Sequence, residues 1–495
     1  MSAGSPSTCC AVTPSGPTIP PSRRGNSPRW RRRAVRRNGC SRGRATITAC
    51  RSSCWRSSMR FEDLHGRRVV VWGAGREGEA ALAELTARGI DARVAVTGSG
   101  TIPDHLASVG ISGEEGLAAL LAADVVVKSP GIPRTSDEFQ RLTAAGVRLT
   151  SLSDLWLAAN HSHAIGITGT KGKSTTSAVT THVLAALGWD SRLVGNVGTA
   201  VTGVLTDEQV AVMEVSSYQA SSLTVSPRVA VVTSLFPEHL PWHGGFEAYR
   251  DDKFNLLAHG PEVVVVSDLQ PELRELAAER APAAALLTPA ALGLSVTPDS
   301  ITWEGVGRLD AHELRLRGGH NVGNAALGLA TARAWCGEDF DAPAALASLR
   351  DFEPLAHRLE VVPSSDSRTW VDDSLATNPQ AVIAALLTYP DAPVVLIVGG
   401  SERDLPFGPL IDFLAARTAP TQVVTIGPAG HRFADEAADR IPGLVRAEGF
   451  DDAMRRVRSS SLEQAVVLLS PSAPSFDEFV DYRDRSRAFR RAALA

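Results

Sequence analysis

Between Ala164 and Thr176 the chain reads AIGITGTKGKSTT, a short apolar run that breaks into glycines and then gives way to a helical pattern. That is a strand, a Gly-rich turn and a helix N-terminus. The free N–H groups of such a turn, with the positive end of the helix dipole, favour phosphate oxygens. Gly169 and Gly172 let the backbone curl around those oxygens, Lys173 reaches the β/γ-phosphates, and the Ser174 hydroxyl ligates Mg²⁺. The strict GxxxxGK[ST] pattern is missed by one residue, since Ile167 stands where its first glycine belongs. The segment Gly169 to Thr175, with Thr170 and Lys171 inside it, reads as an ATP site.

Two further groups have the chemistry to join it. Glu214 ends an apolar strand, Val210 to Val215, and a carboxylate at a strand end beside a phosphate loop in the same sheet is placed to hold Mg²⁺. Lys253 stands out by scarcity. The chain has 46 arginines and four lysines: Lys128, Lys171, Lys173 and Lys253. Where guanidinium serves every generic positive charge, a retained lysine points to a need for an amine, which can lose its proton and react.

These residues need a scaffold, and 495 residues suffice for about three domains. The composition, 44% hydrophobic and 21% charged, is that of a globular protein with several cores. No apolar run reaches the ~20 residues of a membrane span. Residues 1–58 hold twelve arginines and no acidic residue, so a net charge of −4 leaves −16 on the rest. An acidic body argues against nucleic acid as a partner. The Arg-, Ser- and Pro-rich leader is expected not to fold alone and resembles a transit peptide; the favoured reading starts the mature chain at Met59. It also holds five of the six cysteines, leaving Cys336 alone in a body that fits a reducing cytoplasm.

The body reads as α/β throughout. A strand at Arg68 to Trp72 runs into Gly73, Gly75 and Gly78, a GxGxxG turn expected to open a helix near Glu79. The second strand, Ala92 to Val96, ends in Thr97-Gly98-Ser99, so no carboxylate is present for an adenosine ribose and NAD is disfavoured. A strand at Asp124 to Lys128 leads to Ser129-Pro130-Gly131. Two such loops suit a phosphate-bearing ligand. Beyond the ATP loop come strands at Val229 to Ser234 and Val263 to Ser267, a histidine-bearing loop, and an Ala-rich helix opened by Gly319 to Asn324, whose amides either read a base or cap the helix. Further strands are expected at Thr369 to Val371, Val394 to Val398, Gln422 to Ile426 and Ala465 to Leu469, with polar loops at their ends.

Taken in order, VVVWGAGREG, SPGIP, TGTKGKSTT, EVSSYQ, the Tyr249-to-Lys253 segment, GGHNVGNAA, HRLE, DDSLATN and LLSPSAPSFDEF resemble the Mur ligases, the ATP-dependent amino-acid-adding enzymes of peptidoglycan synthesis. The resemblance covers Met59 to Ala495 and is nearest to the members that add glutamate to UDP-N-acetylmuramoyl-L-alanine. It implies a Rossmann-like UDP-substrate domain (59–156), a central P-loop domain (157–353) and a Rossmann-like glutamate-binding domain (354–495). It implies that Ser174 and Glu214 hold one Mg²⁺, that His239 binds a second, and that Lys253 is carbamylated by CO₂. Asn321, Asn324, His357 and Arg358 would line the ATP site. Gly73, Gly75, Arg76 and Gly78, with Ser129, Pro130 and Gly131, would hold UDP, and Asn196 would contact the substrate near its reacting carboxylate. Thr377, Ser475, Phe476 and Tyr482 match glutamate-binding positions.

Four positions depart from that pattern. Lys171 stands for a usual Asn, Glu238 for a usual Asp, Leu375 for the lysine of DDSKATN, and Arg403 near another pocket lysine. Leu375 deletes a charge that would meet a glutamate carboxylate. Altered cation placement, with the TGTKGKST loop, points to the subgroup that adds L-glutamate and leaves inversion to a separate epimerase; the same-class alternative is D-glutamate. A non-catalytic nucleotide-binding protein is the remoter reading, and it has no use for Lys253, Glu214 and His239 together.

Overall fold

The computed structural model describes residues 58–495, apart from 99, 197, 198, 204, 404 and 438. The expectations for the leader lie outside the described residues. The first sheet holds β1 (Val69–Trp72), β2 (Ala92–Ala95), β3 (Gly110–Ile111), β4 (Val125–Lys128) and β5 (Arg148–Thr150), all parallel in the order β3-β2-β1-β4-β5. Every residue of β1 and β4 is buried, as valine runs are when helices cover both faces. Strand order reverses between these two, which opens a crevice at their C-terminal ends. The GxGxxG turn and Ser129-Pro130-Gly131 flank it. The helix after β1 starts at Arg76 rather than Glu79, so Arg76 and Gly78 lie in its first turn. Gly78 is there because a Cβ would collide with the Gly73 carbonyl.

The central sheet comprises β6 (Ala164–Thr168), β7 (Asp190–Gly195), β8 (Gln209–Glu214), β9 (Val229–Val232), β10 (Val263–Val266) and β11 (Ala285–Leu287), in the order β11-β10-β9-β6-β8-β7. β6 and β8 are parallel neighbours with Ile167 opposite Glu214, which brings the acid level with the start of the ATP loop. One face is covered by the helices Lys173–Ala186 and Gly319–Cys336, whose Val179, Val183, Ala326 and Leu329 share a core. Small residues allow the helices to approach; a Cβ on Gly328 would strike Val179. The other face shares a core with the first sheet through Leu155 and Trp156 of the helix Leu152–Asn160.

Three features escaped the sequence reading here, the first being the three-residue edge strand β11. β7 is a polar edge strand, and β12 (Leu294–Thr297), β13 (Ser300–Trp303) and β14 (Gly307–Asp310) form a small antiparallel sheet. Neither has the apolar run that betrays a buried strand. β9 also stops at Val232, two residues early, freeing Thr233 and Ser234 for the ATP loop.

The last sheet is β15 (Glu360–Val362), β16 (Thr369–Asp372), β17 (Val394–Gly399), β18 (Thr421–Ile426), β19 (Val445–Arg446) and β20 (Val466–Leu469), ordered β15-β16-β20-β17-β18-β19 with only β15 antiparallel. The loops after β16, β20 and β17 therefore lie side by side. The fold is three-domain α/β, as the sequence predicts. No helix among the described residues is long and apolar enough to cross a membrane.

Candidate active site

β6 delivers the ATP loop to the C-terminal end of the central sheet. Two glycines take backbone angles that a side chain opposes. Gly169 at φ +145° abuts Thr233, and Gly172 at φ +86° caps the Lys173–Ala186 helix with Asn324 Oδ1 where a Cβ would sit. Thr233 Oγ1 donates to Lys171 O at 2.5 Å, and Lys171 N donates to Ser234 Oγ at 2.8 Å, so the loop after β9 props this one. Lys173 Nζ folds back onto the Gly169 and Thr170 carbonyls at 2.8 and 2.9 Å, within reach of an arriving triphosphate. Arg358 comes from the far side and its Nη2 donates to Ser174 Oγ at 2.9 Å. Its buried Nε has no partner among the described residues, a donor left for a ligand.

The Gly319–Cys336 helix brings its amides to the same place without capping itself. Asn324 Nδ2 donates to Asn321 Oδ1 at 3.0 Å and Asn321 Nδ2 to Arg317 O at 2.7 Å. Thr175 is half-buried in the first turn after the loop. His357 Nδ1 pairs with buried Asp372 at 2.8 Å, and its ring stands edge-on to Tyr482 at 5.6 Å. His357 takes a left-handed backbone angle, φ +64°.

Glu214 is buried, 1% exposed. Its Oε1 accepts from Asn196 Nδ2 at 2.7 Å, while its buried Oε2 has no donor among the described residues. An uncompensated buried carboxylate oxygen is costly and suits a cation ligand. His239, at φ +55°, lies 5.1 Å from Tyr218 ring to ring, and burial lowers its pKa, which keeps a nitrogen lone pair available. Lys253, on the helix Phe246–Phe254, is 1% exposed, and its Nζ donates to Gly169 O at 2.9 Å. Burial, with Lys173 close by, pushes its pKa well below the ordinary lysine value. Glu214 and Glu238 act on both lysines, so these groups form one electrostatic cluster.

The first domain reaches this cluster through Arg76, whose Nη2 donates to Asn196 O at 3.0 Å and Gly195 O at 3.3 Å. Arg76, Asn196 and Glu214 thus form a chain from one loop to the next. On the other wall of the crevice, Ser129 Oγ donates to Gly73 O at 3.4 Å, and Trp242 Nε1 of the central domain donates to Gly131 O at 3.1 Å. Pro130 between them is half-buried. Lys128 holds this loop, a role the sequence reading missed although lysine scarcity had singled it out. Its Nζ donates to Ser129 O, Pro130 O and Ile132 O at 3.0, 3.5 and 2.9 Å. Burial and the Arg134 charge bring its pKa down to about 7, against the pull of Glu77 and Asp252. Lys128→Met keeps the stem and deletes all three bonds. The expected result is a loss of about 2 kcal/mol of stability and a rise of about tenfold in KM for the nucleotide-linked substrate, read by denaturant unfolding and steady-state kinetics.

The glutamate candidates are gathered by loops rather than by contacts among themselves. Thr377 and Leu375 follow β16, Arg403 follows β17, and Ser475 and Phe476 follow β20. Ser475 Oγ is buried without a partner among the described residues, Phe476 is 68% exposed, and Arg403 lies at the surface. What holds the three loops together is Arg485, fully buried in the helix Tyr482–Leu494. It donates to Ser374 Oγ, Ser374 O, Gly399 O, Ala473 O and Pro474 O at 2.9 to 3.4 Å. Sequence gave no sign of it, one arginine among many.

Comparison with known proteins agrees with this arrangement. The Mur ligase middle domain matches residues 167–332, and the Mur ligase, glutamate ligase domain matches residues 357–473. A UDP-N-acetylmuramoyl-L-alanine--L-glutamate ligase of a Micromonospora species is 43% identical over 451 residues, covering 88% of this chain and 98% of its own. Its namesake from Salinispora tropica is 40% identical over 448 residues, covering 88% and 99%. Among solved structures, the UDP-N-acetylmuramate-alanine ligase MurC of Thermotoga maritima superposes with a TM-score of 0.53 at 18% identity, covering 86% of this chain and 98% of its own. The MurF ligase of the same organism, in complex with ADP, also gives 0.53, at 16% identity over 88% and 98%. At such identities the likeness concerns the fold. With relatives of 40% and more along nearly their whole length, the chain belongs to the Mur ligase family, ATP-dependent ligases that form amide bonds.

Proposed function

We propose that the protein adds L-glutamate to UDP-N-acetylmuramoyl-L-alanine in peptidoglycan precursor synthesis, in the cytoplasm, with an epimerase acting on its product. The observation that carries the reading is the cluster at the ends of β6 and β8, where Lys173, the half-satisfied Glu214 and buried Lys253 meet the first domain through Arg76 and Asn196. The L-glutamate choice draws support from the names of the relatives and from an apolar Leu375 in the expected pocket. Residues 59–156, 157–353 and 354–495 are the proposed UDP-substrate, ATP and glutamate domains.

The substrate carboxylate attacks the γ-phosphorus of ATP, the bond to ADP breaks, and an acyl phosphate forms. The glutamate amine then attacks the acyl carbon, loses a proton and expels phosphate. Lys173 and the loop amides offset the charge of the transferring phosphoryl group. Asn196 orients the carboxylate, and its own amide is oriented by Glu214. Ser174, Glu214 and His239 would hold magnesium, which when bound neutralises phosphate oxygens. Lys253, unprotonated, has the nucleophilicity to take up CO₂ as a carbamate and add a carboxylate to the cluster. Arg358 and the Asn321–Asn324 pair bind nucleotide, and Arg485 fixes the loops that deliver glutamate.

The test uses residues 59–495 with ATP, Mg²⁺ and UDP-N-acetylmuramoyl-L-alanine, following phosphate release with each glutamate enantiomer. Turnover with L-glutamate alone is expected. Turnover with D-glutamate alone overturns the stereochemical reading, and silence with both overturns the acceptor.

A further inference from the structure

Two of the four departures from the family pattern meet in space. Lys171 Nζ donates to Glu238 Oε1 at 2.8 Å, so the lysine in the ATP loop and the acid in the loop after β9 are partners. The same oxygen, Oε1, accepts a second hydrogen bond of 3.0 Å from Asn378 Nδ2. Asn378 belongs to the C-terminal domain and ends the DDSLATN stretch that also carries Leu375 and Thr377. Both ends of its amide are engaged: Oδ1 accepts from Ala381 N at 3.0 Å and caps the helix Pro379–Leu387, while Nδ2 donates across to Glu238. One carboxylate oxygen therefore ties the ATP loop to the glutamate-bearing domain. The junction is half-buried, with 39% of the Lys171 side chain and 22% of that of Glu238 exposed.

We propose that Lys171, Glu238 and Asn378 form a positioning latch that holds the C-terminal domain over the ATP loop and sets where glutamate meets the activated carboxyl group. The latch rests on the ligase reading above for its kinetic consequence, though not for its geometry. None of the three residues is asked to touch the reacting atoms. Lys171 orients the carboxylate, Glu238 accepts, and Asn378 carries the pull into the loop that holds Leu375 and Thr377. Charge makes the bond strong, since an amide donor to an ionised carboxylate exceeds a neutral pair. The longer Glu side chain suits the longer Lys: both departures are accounted for as one matched pair.

Asn378→Asp separates this role from a structural one. Aspartate caps a helix as well as asparagine does, so the Pro379–Leu387 helix keeps its N-terminus. The donor to Glu238 is lost and two carboxylates face each other. The expected result is a KM for glutamate raised about tenfold or more with the affinity for ADP unchanged, a split that plain destabilisation does not produce. Glu238→Gln combined with Asn378→Asp restores a donor–acceptor pair, the amide at 238 now donating to the carboxylate at 378. The double variant is expected to bind glutamate better than the product of the single effects allows. X-ray scattering of the unliganded protein supplies a second measurement that needs no turnover, with a larger radius of gyration expected for N378D. Equal radii, or a double variant that behaves as the product of its singles, overturn the latch. Wild-type protein inert with both glutamates while the radii differ overturns the ligase reading and leaves the latch standing.

Discussion

Lys253→Ala is expected to lower turnover about a thousandfold, the scale of removing a group that acts on transition-state charge. The residue is buried to 1% exposure beneath the ATP loop, and its neighbours are Gly169 O, the Tyr249 ring at 4.9 Å, and the charges of Lys173, Glu214 and Glu238. Burial and the neighbouring Lys173 charge draw its pKa well below the ordinary lysine value, which favours the neutral amine. On the proposed reading the amine takes up CO₂, which would convert the side chain from a potential cation into an anion within the cluster of Lys173, Glu214 and Glu238. Alanine leaves a cavity large enough for a small carboxylic acid, so formate or acetate should return part of the lost rate to Lys253→Ala. Lys253→Arg keeps a fixed positive charge, fills the cavity and should stay inactive with or without the acid. Phosphate release measured across an acid titration of the three proteins decides it. Full activity in Lys253→Ala, or a loss that no acid relieves, removes the carbamate from the mechanism.

The second large effect is on stability. Arg485→Leu should cost about 4 kcal/mol, read as a loss of unfolding free energy in urea, because it removes five donated bonds from buried acceptors, of which Pro474 O keeps a donor in Ser401 N and the Ser374 hydroxyl keeps its bond to Tyr482 O. Burial draws the pKa of this guanidinium down to about 10, so it is charged at neutral pH and its bonds are charge-assisted. Those bonds join the loops after β16, β17 and β20, and their loss should loosen all three at once. Arg485→Lys keeps the charge with three donors in place of five, and an intermediate loss is expected. Within the folded fraction of either variant, KM for glutamate should rise more than KM for ATP. Equal changes in the two constants would mean that Arg485 serves the fold alone.

The sequence was most legible where one backbone feature imposes one residue type. Gly169 and Gly172 carry left-handed or crowded angles that only glycine takes without strain, so the ATP loop is visible from spacing alone. Runs such as Val69–Trp72 and Val394–Gly399 are legible because a parallel strand covered on both faces has no polar side to alternate with. Polar β7 and the short β12 to β14 sheet break that rule and were missed. The left-handed angle of His357, φ +64°, and its bond to Asp372 fifteen residues on cannot be read from HRLE.

Chain order and residue chemistry by themselves determined the α/β class, the phosphate loop, the candidate metal carboxylate and the singular lysine, since each depends on local geometry or on composition. Tertiary structure alone decided which distant residues meet: Glu214 with Asn196 across adjacent strand ends, Lys171 with Glu238 and Asn378 across two domains, and Arg485 with three loops. Such contacts are set by strand order and by the packing of whole domains. A single side chain carries no mark of the partner it will find a hundred residues away.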